Sequence, residues 1–422
     1  MTTLPKGNLT KQYSCCFFLL PFAVLTLLSL GCARRETSAQ SEIRIGVVLP
    51  VSGSEADPGR FQKEGIELAV QQINQMGGIN LRELGKKLPV KLVFYDDSSD
   101  PAKSASLVER TMTTDNVVAV LGGYSSTLGE AESVMPDRYH TPWIATGAGA
   151  TSIFSHGYRW IFGALSPVEL LGSTAAQFLG SLVDQGKLRK DLKVALAVEN
   201  TDHGEDYANG IQQWIKANPG YFEVVLNEKF AAGLPDFSAL LQKVKDSHAD
   251  IFLADAHLQD YVAMEPQYVR TGMYHQMISY GARGPEREAR KVLGKDADYL
   301  FAGNWWSENL PYPQSANFVQ AYIAFTGHTT DSWYAAVAYD ATRALAVAIE
   351  NAGSLDKTAI RDALRIVTLK DSLLPGQVFH FGPTGQVLTP FVIVQNQPFG
   401  EADIVFPPDA ANGKATAPKP RK

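Results

Sequence analysis

From Ile43 onward, hydrophobic and polar positions follow two alternating periods. EIRIGVVLP is an apolar, β-branched run that predicts a strand. GRFQKEGIELAVQQINQMGG follows with Phe61, Gly65, Leu68, Ala69, Ile73 and Met76 at helical spacing, and Gly77 and Gly78 stop it. VKLVFYDDSSDP alternates Val90, Leu92 and Phe94, after which Asp100 and Pro101 read as the N-cap and first residue of the helix PAKSASLVERTMT. Then come the strand VVAVLGG, a helix opened by Ser125, Ser126 and Thr127, and PWIATGAGATS. The alternation restarts near Leu165 with a helix to about Val183, the strand KVALAVEN, the helix DYANGIQQWIKANPG and the strand FEVVLNEKF. The helix DFSALLQKVKDSH, the strand DIFLADA, a helix to Thr271 and QMISYGA continue it. After DYLFAGNWW the pattern is helical through SANFVQAYIAFTG, WYAAVAYDATRALAVAIENAG and DKTAIRDALRIV. Two strand-like runs around a Gly-Pro-Thr-Gly turn then close GQVFHFGPTGQVLTPFVIVQ. Strands alternating with amphipathic helices predict parallel sheets covered on both faces, and two such runs predict two α/β lobes. The tail, residues 407–422, is rich in Pro, Ala and Lys and reads as disordered.

The 422 residues, 45% hydrophobic and 19% charged, suffice for two sizeable cores. A formal net charge of -6 argues against a nucleic-acid partner. Lys6 and Lys11 precede an apolar run without a charge at residues 14–31, the layout of a secretory signal peptide at residues 1–31. The run ends in SLGC, similar to a lipobox, in which the chain is cut before the cysteine and lipid is attached there. That reading makes Cys32 the lipidated first residue and residues 32–42 a polar tether; an uncleaved anchor is the alternative. All three cysteines, Cys15, Cys16 and Cys32, lie in this region, so the rest of the chain has no thiol for a disulfide, a metal or catalysis.

Candidate chemistry gathers where VLGGYSSTLGEAES passes from strand to helix. Helix N-termini expose N–H groups with partial positive charge, so the hydroxyl cluster predicts a seat for an anion. Signals for an enzyme are weak. GYSST breaks the nucleophile elbow G-x-S-x-G at its last position, the eight histidines lack metal-ligand spacing, and there is no Walker loop. GAGATS lacks the third glycine of a dinucleotide loop, having Ser152 there. Asp96 and Asp97 are adjacent at a strand end, so they point to opposite faces and read as loop caps. No enzyme activity, metal or cofactor is expected.

In order and spacing, the stretches IRIGVVLPVSG, QKEGIELAVQQINQMGGI, LVFYDDSSDP, VLGGYSST, GAGATS, FSALLQKVKDSHADIFLADA and AVAYDATRALAVAIENAG resemble the leucine/isoleucine/valine-binding proteins. These are type I periplasmic solute-binding proteins of ABC importers. The resemblance spans residues 43 to about 394. It implies two Rossmann-like lobes joined by three crossings, with residues 43–162 and 304–374 in the first and 163–303 and 375–406 in the second. A small ligand is then held in the cleft by hinge closure. It also implies an exported location, at the membrane through the lipid, and ABC permease and ATPase partners.

On the same resemblance, Ser125 and Ser126 match the serines that grip a ligand carboxylate, their bland alternative being helix caps. Gly149 and Thr151 match the carbonyl and hydroxyl that take ammonium and carboxylate. His203 and His257 fall where relatives present tyrosines, with Asp202 and Asp255 near enough to supply a counter-charge. Arg283 stands where amino-acid binders carry an acid, and either welcomes a second carboxylate or is a solvated loop charge. Trp305 or Trp306 offers an aromatic wall, and Tyr280 and Tyr334 are further cleft candidates. The function implied is capture of an amino acid or related small carboxylate for an importer. The alternatives are a sensory receptor of the same fold, or a binder of a dicarboxylate, aromatic acid or amide.

Overall fold

The computed structural model describes residues 41–329, 333–400 and 402–421. The signal peptide, Cys32 and most of the tether lie outside the described residues. Five parallel strands form the first sheet, in the spatial order Val90–Asp96, Ile43–Leu49, Ala119–Gly122, Trp143–Ala145 and Ile161–Gly163. The chain leaves the first strand to one side and returns on the other, so a crevice opens at the carboxyl ends of Ile43–Leu49 and Ala119–Gly122. Gly122 is required there: a Cβ on it would lie 2.1 Å from the Val48 carbonyl oxygen. Helices Ala56–Gln75 and Trp333–Ala352 pack together, and their apolar faces join the first sheet's core.

The second sheet runs Ala402–Phe406, Val392–Asn396, Phe301–Asn304, Met277–Tyr280, Ile251–Asp255, Leu192–Glu199 and Phe222–Phe230. Its last five strands are parallel, and the first two add an antiparallel edge. The same reversal of strand order falls between Leu192–Glu199 and Ile251–Asp255. Each sheet therefore presents a switch point, and loops from the two meet across one cleft. The fold is the type I periplasmic binding protein fold expected above.

Chain crossings between the sheets are tied by Trp305. Its indole Nε1 donates to the Ser166 carbonyl at 3.1 Å, and its ring packs on Trp333 and Phe391 at 4.5 and 5.2 Å. The Ser166 hydroxyl donates in turn to the Thr389 carbonyl at 2.8 Å. No helix among the described residues is long and apolar enough to cross a membrane.

The tail corrects the expectation of disorder. Residues 407–421 lie along the second lobe, where Thr416 exchanges hydrogen bonds with the Gln395 side chain at 2.8 and 3.0 Å. The Lys419 N–H donates to the Gln276 carbonyl at 2.7 Å, and Tyr274 donates to the Lys419 carbonyl at 2.6 Å. Recurrent prolines disfavour helix and strand, yet an extended backbone still finds hydrogen-bond partners on the neighbouring lobe.

Candidate functional site

In the first lobe, carboxylates shape the loops at the switch point. Asp96 accepts hydrogen bonds from the Val51 N–H, the Ser52 hydroxyl and the Ser98 N–H at 3.0, 2.6 and 2.9 Å. Burial opposes its charge, but these donors hold it below the usual carboxylate range. Asp97 turns the other way and accepts from the Ser99 N–H at 2.8 Å. The loop so anchored delivers Glu55, whose N–H donates to the Ser99 hydroxyl at 3.0 Å.

The anion seat at the hydroxyl cluster is filled by the protein itself. Helix Ser126–Glu132 is only seven residues long, and the Ser125 hydroxyl donates to Glu55 Oε1 at 2.8 Å. Ser126 Oγ turns inward and accepts from the Gly149 and Ala150 N–H groups at 3.4 and 3.3 Å. The Gly149 carbonyl accepts from Gln386 at 3.3 Å and from the Val168 N–H at 3.2 Å. Thr151 donates its N–H to Asp206 of the second lobe at 2.6 Å, and its hydroxyl oxygen is buried without a hydrogen-bond partner among the described residues. Beside it Ser152 donates to Asp202 at 2.7 Å.

In the second lobe, Glu199 accepts from the backbone N–H and the Nδ1 of His257, both at 2.5 Å. Burial opposes the imidazolium, but the carboxylate beside it wins and raises His257 to about 9. Asp260 accepts both oxygens' hydrogen bonds from the Gly233 N–H, and burial raises it above the usual range. His203 stands behind, with Nε2 3.5 Å from Asp255 and its ring 6.3 Å from that of His257. Gly281 makes room for Asp255: its φ is +58°, and a Cβ would sit 1.8 Å from Asp255 Oδ1.

Arg283 is buried between the lobes. Its Nη2 donates to the Tyr124 hydroxyl at 3.3 Å, its Nη1 lies 3.6 Å from Glu286, and its guanidinium packs over Tyr334 and Trp333 at 5.6 and 5.8 Å. Burial works against its charge, but Tyr124, Tyr334, Glu286 and Asp255 more than restore it. Tyr334 completes the strut by donating to Glu286 at 2.9 Å. A solvated loop charge does not describe this residue.

A cavity of about 370 Å³ opens between the two switch points, with Glu55, Tyr124 and Thr127 on one wall and Glu199, His257 and Asp260 on the other. Of the residues singled out from the sequence, Thr127 and His257 are on its wall. Ser125, Arg283 and His203 lie against the wall residues Glu55, Tyr124 and His257, and none of these three, nor Ser126, Gly149 or Thr151, lines the cavity. Tyr280 and Trp305 lie elsewhere. Tyr280 packs against Tyr261 at 4.3 Å and donates to Glu265 at 2.8 Å inside the second lobe, and Trp305 belongs to the crossings. Trp306 is likewise interior, against Phe318 at 5.7 Å. Glu55 and Asp260 were missed: one follows a strand in a polar loop, the other opens a helix, and only the strand order reveals that both overhang one crevice. Among the described residues no group of three or more His, Cys, Asp or Glu is arranged to hold a metal ion.

Comparison with known proteins gives this geometry its context. The sequence model of the periplasmic binding protein family matches residues 42–401. The Leu/Ile/Val-binding protein homolog 7 of Brucella abortus is 24% identical over 405 residues, covering 93% of this chain and 99% of the relative. Among solved structures, the branched-chain amino acid transporter substrate-binding protein LivJ of Streptococcus pneumoniae, in complex with isoleucine, superposes with a TM-score of 0.72. It is 22% identical and covers 87% of this chain and 100% of its own. A solute-binding protein of an ABC transporter from R. palustris, in complex with benzoate, gives 0.73 at 18% identity, covering 89% and 98%. The chain belongs to the periplasmic binding protein family.

Proposed function

We propose that this chain captures an amino acid or a related small carboxylate in the interlobe cavity and presents it to an ABC permease, anchored at the membrane by lipid on Cys32. One observation carries the reading: the switch points of both sheets open onto one cavity of about 370 Å³, the size of a small-molecule site, with charged side chains on each wall. Ligand contacts to both walls favour the closed arrangement over the open one, which is how binding becomes a signal to the permease. Ser125, Ser126, Gly149 and Thr151 enter as the frame that sets the wall, and Arg283 as the strut beneath it. The relatives supply the ligand range, since one is held with isoleucine and another with benzoate.

The test is a thermal-shift screen of the chain from residue 33 onward against amino acids, dicarboxylates, aromatic acids and amides. A ligand at 100 times its Kd adds about 2.7 kcal/mol, a readily measured shift. A response to an amino acid or small carboxylate is expected, and a panel without any response overturns the reading. Mass spectrometry of the mature N-terminus tests the anchor: a diacylated Cys32 is expected, and an intact Met1 contradicts it.

A further inference from the structure

We propose that residues 407–421 are an acid-released strap on the second lobe: protonation of His275 unseats the segment around Lys419 while both sheets stay folded. The seat lies away from the ligand cavity. Lys187, Asp250 and Gln276 precede the strands Leu192–Glu199, Ile251–Asp255 and Met277–Tyr280, so the strap crosses the amino ends of a sheet whose carboxyl ends face the cleft.

The strap is fastened along its length. Lys187 Nζ donates to the Ala415 carbonyl at 3.1 Å, and Thr416 is bonded to Gln395 in both directions. The Lys419 peptide is held from either side of His275: its N–H donates to Gln276, the residue after, and its carbonyl accepts from Tyr274, the residue before. Beyond it the Arg421 guanidinium packs over the Tyr274 ring at 4.7 Å. Those bonds bring a lysine that is 7% exposed to a histidine that is 3% exposed.

A charge on His275 would be poorly answered there. Its Nδ1 meets the Tyr268 hydroxyl at 2.8 Å, a neutral partner, and its ring lies between those of Phe252 and Tyr268 at 5.7 and 5.6 Å. Asp250 favours the imidazolium, but its oxygens already accept from Arg189 at 3.1 and 3.2 Å and from the Lys193 N–H at 3.0 Å. A proton on His275 would therefore set a second buried cation beside Lys419. Burial and Lys419 together lower His275 to about 4, from the 6.5 it has in water. As pH falls from 6.5 toward 4, a released, hydrated ring takes up a proton that the seated ring refuses, so the balance moves toward release. Lifting the strap hydrates the ring and parts the two cations while leaving every strand pairing in place, which makes it a cheaper opening than unfolding the lobe.

Hydrogen exchange read by mass spectrometry tests this on the chain from residue 33 onward, at pH 7.5, 6.0 and 4.5, with exchange times corrected for the intrinsic pH dependence. In the wild type, protection of peptides covering 407–421 should fall about 10- to 70-fold between pH 7.5 and 4.5, while peptides from Ile251–Asp255 stay protected. His275→Gln, which cannot take the proton, should hold the strap's protection within about 2-fold over the same range. Lys419→Met, which removes one of the two cations, should show a shallower fall than the wild type. A strap unprotected at pH 7.5, an unchanged strap at pH 4.5, or loss of the strap and the strands together overturns the proposal. So does a fall as steep as the wild type's in either variant.

Discussion

The two lobes bring the same topological feature to the cavity and finish it with different chemistry. At the second lobe's switch point each acid has a partner of its own: Glu199 has His257, Asp260 has the Gly233 N–H, and Asp255 has His203 3.5 Å away. At the first lobe's switch point the acids serve the loops, and among the described residues Glu55 has one oxygen bonded by Ser125 and the other without a hydrogen-bond partner. Topology opens both halves onto one cavity, but the pairing of charges differs between its two walls.

Removing Arg283 should break that comparison most severely, because it is the buried cation that the second lobe sends beneath the first. Arg283→Met keeps much of the volume but strips the counter-charge from Glu286 and Asp255 and the donor from Tyr124. Breaking a buried ion pair on one side costs about 3–5 kcal/mol. Denaturant unfolding should show a loss of that order, whereas Glu55→Gln on the first wall should lie within about 1 kcal/mol of wild type. A loss below about 1 kcal/mol in Arg283→Met would remove the strut and return Arg283 to the status of a ligand group.

How much of this was readable from the sequence follows the reach of each signal. Helical and strand periods are local, so the alternation that builds both sheets is visible in stretches such as VKLVFYDDSSDP and GRFQKEGIELAVQQINQMGG, down to the Asp100 cap that accepts the Lys103 N–H at 2.8 Å. The cavity depends on strand order, a long-range property, and so the wall residue Glu55 went unmarked in its polar loop. Aromatic residues misdirect for the opposite reason. Tyr280 and Trp305 end strands that point at the cleft, yet large apolar surfaces are most stable inside, and each ring's polar atom found a partner there. The hydroxyl cluster was recognised as an anion seat, but sequence alone does not tell that the anion is Glu55, 70 residues away.

A smaller effect should come from pH acting on the wall that is already set. His257 is raised to about 9 from its usual value near 6.5, so its pairing with Glu199 contributes fully below about 6.5 and is lost as pH rises through 9. Hydrogen bonds to charged groups contribute about 1.5–3 kcal/mol. Between pH 7 and 10 the wild type should therefore lose about that much unfolding free energy relative to His257→Gln, in which the other alkaline titrations remain and cancel. Parallel pH profiles for the two proteins would show that the Glu199–His257 pair does not set the second wall.

A last comparison isolates the first lobe behind its wall. Glu132 is fully buried and accepts from the Ser104 hydroxyl and, at 3.0 Å, from the Trp143 indole. Burial outweighs both donors and raises its carboxyl to about 8, so at neutral pH it keeps its proton. The sign is that of a raised acid: the folded state binds a proton that the unfolded chain releases above about 4.5, and stability declines as pH rises from there through 8. Glu132→Gln preserves the shape and the acceptor for Trp143 and carries no titration. At pH 5–6 the variant should unfold within about 1 kcal/mol of wild type. At pH 9 it should be the more stable of the two, because only the wild type then holds a buried carboxylate. If the ranking is the same at both pH values, Glu132 is charged throughout, and the first lobe holds its acids by paired charge as the second lobe does.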